Sequence, residues 1–91
     1  MKFEYDPAKD AKNLKDHGIS LAEAEKLNFD SMIAAPDADL AYGEERMVGF
    51  AYMRGTADLY CIVFVEREKF RPISLRRATK AETKRFYESK S

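Results

Sequence analysis

Leu59-Tyr60-Cys61-Ile62-Val63-Phe64-Val65 is the stretch from which the fold can be read. Seven consecutive apolar residues, rich in β-branched and aromatic side chains and without polar alternation, have the character of a strand buried on both faces at the middle of a sheet. The run is far shorter than the roughly 20 residues that cross a bilayer. Upstream, Arg46 to Met53 places Val48, Phe50 and Tyr52 on one parity and Met47 and Met53 on the other, which predicts a second strand covered partly on both faces. Downstream, Phe70 to Arg77 predicts a third, with Ile73 and Leu75 on the inward face and Ser74 and Arg76 on the other. Pro72 lacks a ladder donor, so this strand belongs at an edge or carries a bulge. The connections Arg54 to Asp58, around Gly55, and Arg67 to Lys69 are too short for crossovers and allow only antiparallel neighbours. Phe29 to Pro36 supplies a further strand, joined through the acidic segment Asp37 to Glu45.

Helices are expected at both ends of this meander. Met1 to Tyr5 can form a short strand; Asp6-Pro7 then has the form of an N-cap followed by proline at the first helical position, and Gly18 stops the helix after His17. The inward stripe of this helix is expected to be Ala8, Ala11 and Leu14. Ser20-Leu21-Ala22-Glu23 matches a capping box and predicts a second helix that ends near Asn28 and buries Leu21, Ala24 and Leu27. Thr79-Lys80-Ala81-Glu82 repeats the pattern and opens a basic last helix anchored by Phe86 and Tyr87. The expected fold is α+β: an antiparallel meander of about four strands with two N-terminal helices and one C-terminal helix, the helices on one face of the sheet. Residues 1–91 suffice for one domain and one core.

The formal charge is zero, yet the halves differ. Residues 1–45 hold five Lys against eleven Asp or Glu, a balance of −6, and residues 46–91 hold eleven Lys or Arg against five acids, a balance of +6. The second half is the candidate anion-binding surface, unless the two halves only pair with each other. One cysteine and one histidine, Cys61 and His17, cannot assemble a zinc site or an internal disulfide, so no metal and no cofactor is expected. With no apolar leader and no membrane-length run, a cytoplasmic location and no membrane association are expected.

Phosphate loops and nucleophile elbows are absent from the sequence, and a thiol inside a buried strand is inert packing. What remains is a set of strand arginines: Arg46, Arg54, Arg71, Arg76 and Arg77. Guanidinium groups on a polar sheet face can hold a phosphodiester passively, or stabilise the added negative charge of a pentacoordinate phosphorus. Metal-free cleavage of RNA also needs groups to take the 2′-hydroxyl proton and to protonate the leaving 5′-oxygen. Glu66, Lys9, His17 and Tyr5 are the available candidates. For His17 the alternative is interaction with the helix C-terminus, for Glu66 a plain surface charge, and for Tyr5 an aromatic closing the sheet edge.

Phe3-Glu4-Tyr5-Asp6-Pro7 followed by Lys9, Asn13 and His17-Gly18-Ile19 resembles the opening F-x-W-D-x-x-K-x-x-x-N-x-x-K-H-G-V pattern of the BrnT toxins. Glu44-Glu45-Arg46 and Arg71-Pro72-Ile73-Ser74-Leu75-Arg76-Arg77-Ala78 followed by Glu82 are similar to that family's E-E-R and R-x-I-S-A-R-x-A-x-x-x-E segments. The resemblance implies a RelE-like fold and a ribonuclease toxin of a type II toxin–antitoxin pair. It further implies that a ribbon-helix-helix antitoxin holds the toxin inactive and binds operator DNA with it, and that RNA cleavage slows translation. Carried over by position, the family's aromatic is Tyr5 and its I-S-x-R arginine is Arg76. The resulting expectation is a metal-independent endoribonuclease. Arg76 and Arg46 act on the scissile phosphate, Arg54 or Arg77 on flanking phosphates, and His17, Lys9 or Glu66 on protons. Tyr5, Lys9, Lys15, Arg71 and Arg77 bind RNA. Two positions depart from the pattern: Tyr5 replaces the tryptophan, and Asp16, preceded by Lys15, replaces the lysine before His-Gly. The alternative is a catalytically inactive homologue that serves as an antitoxin-binding co-repressor.

Overall fold

A computed structural model describes residues 2–37 and 46–90. Four strands, β1 (Ile33–Pro36), β2 (Met47–Tyr52), β3 (Leu59–Glu66) and β4 (Phe70–Arg77), form an antiparallel sheet in the order β1-β2-β3-β4. α1 (Pro7–His17) and a 3₁₀ helix (Leu21–Lys26) precede the sheet, and α2 (Lys80–Lys90) follows it. Most of the Asp37 to Glu45 connection, residues 38–45, lies outside the described residues.

β3 is the central strand that its composition predicts. Its register with both neighbours sorts the side chains into two faces: Gly49, Ile62 and Leu75 form one cross-strand row, while Phe50, Cys61 and Arg76 form a row on the opposite face. The first face carries the main core, in which Leu21 and Ala24 of the 3₁₀ helix and Leu27, which follows it, pack with Ala51, Ile62, Phe64, Phe70 and Leu75. Gly49 suits the close approach there, because a Cβ would meet Met32 Sδ at 2.8 Å and the Phe64 ring at 3.2 Å and both would have to shift. Pro72 sits both on an edge strand and at a bulge. Val63 pairs with Ser74 and Phe64 with Pro72, so Ile73 is the extra residue. The bulge overturns the expected orientation of Ile73: Leu75 is fully buried, whereas Ile73 is half-exposed on the rim of a groove.

Several other expectations are corrected. Ala8 and Ala11 are exposed and Leu14 is 52% exposed, so the predicted apolar stripe of α1 faces outward; its one buried residue is Asn13. α1 is held by polar contacts. The Asn13 amide donates to Leu75 O (2.9 Å) and Ile19 O (2.9 Å), and its oxygen accepts from Leu75 N (3.0 Å). One side chain thus supplies the outer edge of β4 with the hydrogen bonds of a neighbouring strand. The second helix is 3₁₀, and Glu23 turns to Lys26 (2.8 Å) instead of closing a capping box. Asp10 ties the element to α1 by accepting from Leu21 N (2.7 Å) and Ser20 Oγ (2.9 Å). The strand expected from Phe29 begins only at Ile33, because Asn28 caps a short 3₁₀ turn at Phe29–Ser31 by accepting from Asp30 N. The N-terminal strand reduces to a single parallel bridge, Phe3 with Phe70. Finally, helices lie on both faces. Phe86 of α2 meets Tyr52 edge-on at 5.4 Å, and Tyr52 points away from the core that holds its neighbour Ala51.

The Thr79–Glu82 capping box does form, with Thr79 N donating to Glu82 Oε1 (2.8 Å) and Glu82 N to Thr79 Oγ1 (3.1 Å). Gly18 ends α1 at φ 71°, in the left-handed region that favours glycine.

Candidate active site

Three local features leave a gap along the outer side of β4. At its start, Phe70 exchanges backbone hydrogen bonds with the N-terminal segment: Glu4 N donates to Phe70 O (3.0 Å) and Phe70 N to Lys2 O (2.8 Å). Further along, Leu75 is bridged to α1 by Asn13. Between the two lie Pro72, which has no N–H, and the bulged Ile73. A groove opens there, made of two adjoining cavities of about 410 and 280 Å³ that share Lys9 and Ile73.

The larger cavity is lined by Tyr5, Lys9, Arg67 and Arg71 with Glu4, Asp6 and apolar walls from Val65, Pro72 and Ile73. The smaller holds Lys9, Lys12, His17, Arg46 and Ser74 beside Asn13 and Asp16. Five Lys or Arg side chains therefore face three carboxylates, and the carboxylates have partners of their own. Lys69 lies 2.7 Å and Arg71 3.8 Å from Glu4; these cations, Lys69 first, hold the Glu4 carboxyl below its ordinary range. Lys12 pairs with Asp16 one helical turn away and lowers its pKa in the same way. Asp6 Oδ1 accepts from Ala8 N (2.8 Å) as the α1 cap.

The groove brings together Tyr5, Lys9, Arg46, Arg71 and His17. It does not bring in the other candidates. Arg76 shares a sheet face with Ser74 and Arg71, since Cys61, Val63 and Val65 are their respective partners on β3. Its guanidinium, however, is engaged by Glu82 of α2 in a bidentate pair of 2.8 and 2.9 Å, and also donates to Arg77 O (3.1 Å). Arg77 pairs with Asp58 (3.2 Å) and stacks over Tyr60. Arg54 lies beyond the far end of β2 from Arg46, its Nε donating to Leu27 O (3.4 Å). Glu66 lines a separate, mainly apolar cavity with Phe29, Met32, Ala34, Met47, Phe64 and Phe70. Lys15 is exposed and lines neither part of the groove.

Lys12, Arg67 and Asn13 are groove or groove-setting residues that the strand-arginine argument passed over. The helical spacing of Lys9, Lys12, Asn13 and Asp16 carried the signal, because steps of three and four place them on one helix face. Among the described residues no three His, Cys, Asp or Glu side chains come together as metal ligands. Burial pushes the Cys61 thiol up, in keeping with inert packing. No helix among the described residues is long and apolar enough to cross a membrane.

The structure is thus a small α+β domain with a groove of net positive lining along the edge strand of a four-stranded meander, a surface with the charge and donors to hold an anion. Residues 5–82 match the family model described as the ribonuclease toxin BrnT of type II toxin–antitoxin systems, and the chain belongs to that family. Among solved structures it is similar to the Brucella abortus ribonuclease toxin BrnT, with a TM-score of 0.66 and 27% identity over 88% of this chain and 99% of that one. No curated protein matches the chain. Membership implies an RNA target and an antitoxin partner.

Proposed function

We propose that the protein is a metal-independent endoribonuclease whose groove binds single-stranded RNA across Lys9, Lys12, Arg46 and Arg71. The observation that carries this reading is the meeting of Arg46, Lys9 and His17 at Ser74, next to the cavity of Tyr5 and Arg71. In the reaction the 2′-oxygen bonds to phosphorus as the bond from phosphorus to the 5′-oxygen breaks. A base takes the 2′-hydroxyl proton and an acid returns one to the 5′-oxygen. Imidazole is the side chain suited to proton exchange near neutral pH, and His17 is the chain's one histidine, so it acts as base or acid, with Lys9, earlier on α1 and lining the same cavity, as the second group. Arg46 and Lys12 stabilise the charge that builds on phosphorus. Lys12, paired with Asp16, contributes its charge only where phosphate takes the place of that carboxylate. Arg76 serves the scissile phosphate only when Glu82 releases it, and Arg54, Arg77, Glu66 and Lys15 have no part in the reading.

Cleavage would inhibit translation in the cytoplasm. A ribbon-helix-helix antitoxin, and operator binding through the complex, follow from the family resemblance; a cationic groove is neutralised readily by an acidic segment laid across it. Incubation of the purified protein with RNA in EDTA is expected to give cleavage that His17→Ala and Arg46→Ala abolish. Intact RNA beside a cleaving control would refute it. The catalytically inactive co-repressor remains the second reading, favoured by Asp16 in the groove and by the engaged state of Arg76. Under it, induced expression leaves growth unaffected while antitoxin binding persists.

A further inference from the structure

The Tyr5 end of the groove has the form of a site for a flat ring with a defined edge, and we propose that it reads an unpaired guanine beside the scissile linkage. The inference rests on the RNA-cleaving reading above and adds the base that the site takes. Tyr5 packs partly against the core, which fixes its ring, and it lines the cavity together with the apolar side chains of Val65, Pro72 and Ile73. At about 410 Å³ the space falls within the roughly 300–1,000 Å³ typical of small-ligand sites, and an aromatic wall stacks any base. Lys9 is common to both cavities, so a nucleotide whose phosphate it holds can place its base against Tyr5.

Stacking does not discriminate between bases; the polar rim does. Asp6 is committed to capping α1. Glu4 Oε2 is held by Lys69 at 2.7 Å, whereas Oε1 lies 3.8 Å from Arg71 Nη2, too far for a hydrogen bond between them. The carboxylate is thus fixed from one side, kept ionised by its cationic neighbours and able to accept on the other. An ionised carboxylate only accepts. Of the four bases, guanine alone presents two adjacent donors, N1–H and the 2-amino group, with O6 and N7 as acceptors beyond them. Arg67 and Arg71 in the same cavity match those acceptors. Adenine and cytosine set a bare ring nitrogen beside their amino group, and uracil sets oxygens on either side of N3–H, so each brings an acceptor against Glu4. The guanine must be unpaired to offer this edge.

The test uses end-labelled uridine octamers with one internal guanosine, adenosine, cytidine or inosine and the full-length protein. The guanosine octamer is expected to be cut next to the purine and roughly tenfold faster than the others. Inosine, which lacks the 2-amino group, is expected to lose most of that advantage, and Glu4→Gln to erase the difference between guanosine and inosine. Equal cleavage of guanosine and inosine octamers would overturn the subsite while leaving the ribonuclease reading intact. If no octamer is cut, the ribonuclease reading fails, and fluorescence anisotropy of the same labelled octamers decides the subsite: tighter binding of guanosine than of inosine supports it, and equal binding overturns it.

Discussion

Glu82→Gln tests how α2 is held to the sheet. Glu82 Oε1 accepts from Arg76 Nη1 (2.8 Å) and from Thr79 N (2.8 Å), while Oε2 accepts from Arg76 Nη2 (2.9 Å). The Arg76 hydrogen bonds in the first place, with the Thr79 amide behind them, pull the Glu82 carboxyl down from 4.5 to about 2. A gap of that size corresponds to roughly 3 kcal/mol of folded-state preference for the carboxylate. The side chains are 34% and 21% exposed, so solvent screening and the cap acceptor that glutamine retains reduce the expected loss to about 1–2 kcal/mol. For a domain of this length that lowers the melting temperature by about 5–15 °C. Because the folded pKa lies below the unfolded one, the contribution is complete above about pH 4.5 and is lost as pH falls towards 2. Thermal unfolding of wild type and variant should therefore differ at pH 7 and converge between those limits. Phe86 and Tyr87 of this 11-residue helix meet Tyr52, and the Glu82 pair adds a polar tie at its first turn, so amide exchange in α2 should quicken in the variant. Equal melting temperatures at pH 7, or a difference that survives at pH 2, would show that the pair does not carry this energy.

Asn13→Ala removes three hydrogen bonds and leaves the N–H and C=O of Leu75 without their side-chain partner at a buried site, for an expected cost of about 2–3 kcal/mol in urea unfolding. RNA cleavage should fall with it even where the variant is fully folded, because α1 carries Lys9, Lys12 and His17; unchanged cleavage would detach the groove from this bridge. Gly49→Ala drives a methyl group against Met32 Sδ and the Phe64 ring. The thioether is the movable end of a flexible side chain, so the same denaturation assay should show a loss of about 1 kcal/mol, and no loss would mean that the ring and thioether move aside freely.

The parts of the fold that were legible in sequence are those set by short-range chemistry. Seven apolar residues in β3, tight connections, Asp6-Pro7, Gly18 and the Thr79–Glu82 box each act within a few residues, and each appears where its chemistry requires it. Leu21, Ala24 and Leu27 are all fully buried although the helix is 3₁₀ and not α and ends before Leu27, because the core selects side chains more strictly than it selects the winding between them. What pattern reading missed depends on partners far along the chain. Ala8, Ala11 and Leu14 look like an inward stripe, yet an asparagine 62 residues from its strand partner turns the opposite side of α1 inward. An amide that can both donate to and accept from one backbone residue can outweigh a weak apolar stripe, and helical periodicity does not register it.

The groove shows the same division. Strand alternation placed Ser74 and Arg76 on one face, as the pairing shows, and the bulge at Ile73 brings Arg71 onto it, but alternation says nothing about which of those groups is occupied. Glu82 captures Arg76 because the capping box that opens α2 aims its carboxylate back towards the end of β4, so the motif that was legible as a helix start also determines which arginine is engaged. Charge then reaches the groove from the helix: Lys9 and Lys12 stand one turn apart on the face that Asn13 turns towards Ser74, and Lys12 offsets Asp16 there. Asp16 is therefore not an isolated negative charge in the groove proposed to take RNA. It converts a lysine position into half of an ion pair whose other half still faces the groove, so Asp16→Lys would add two units of positive charge to a surface that already repels its own cations.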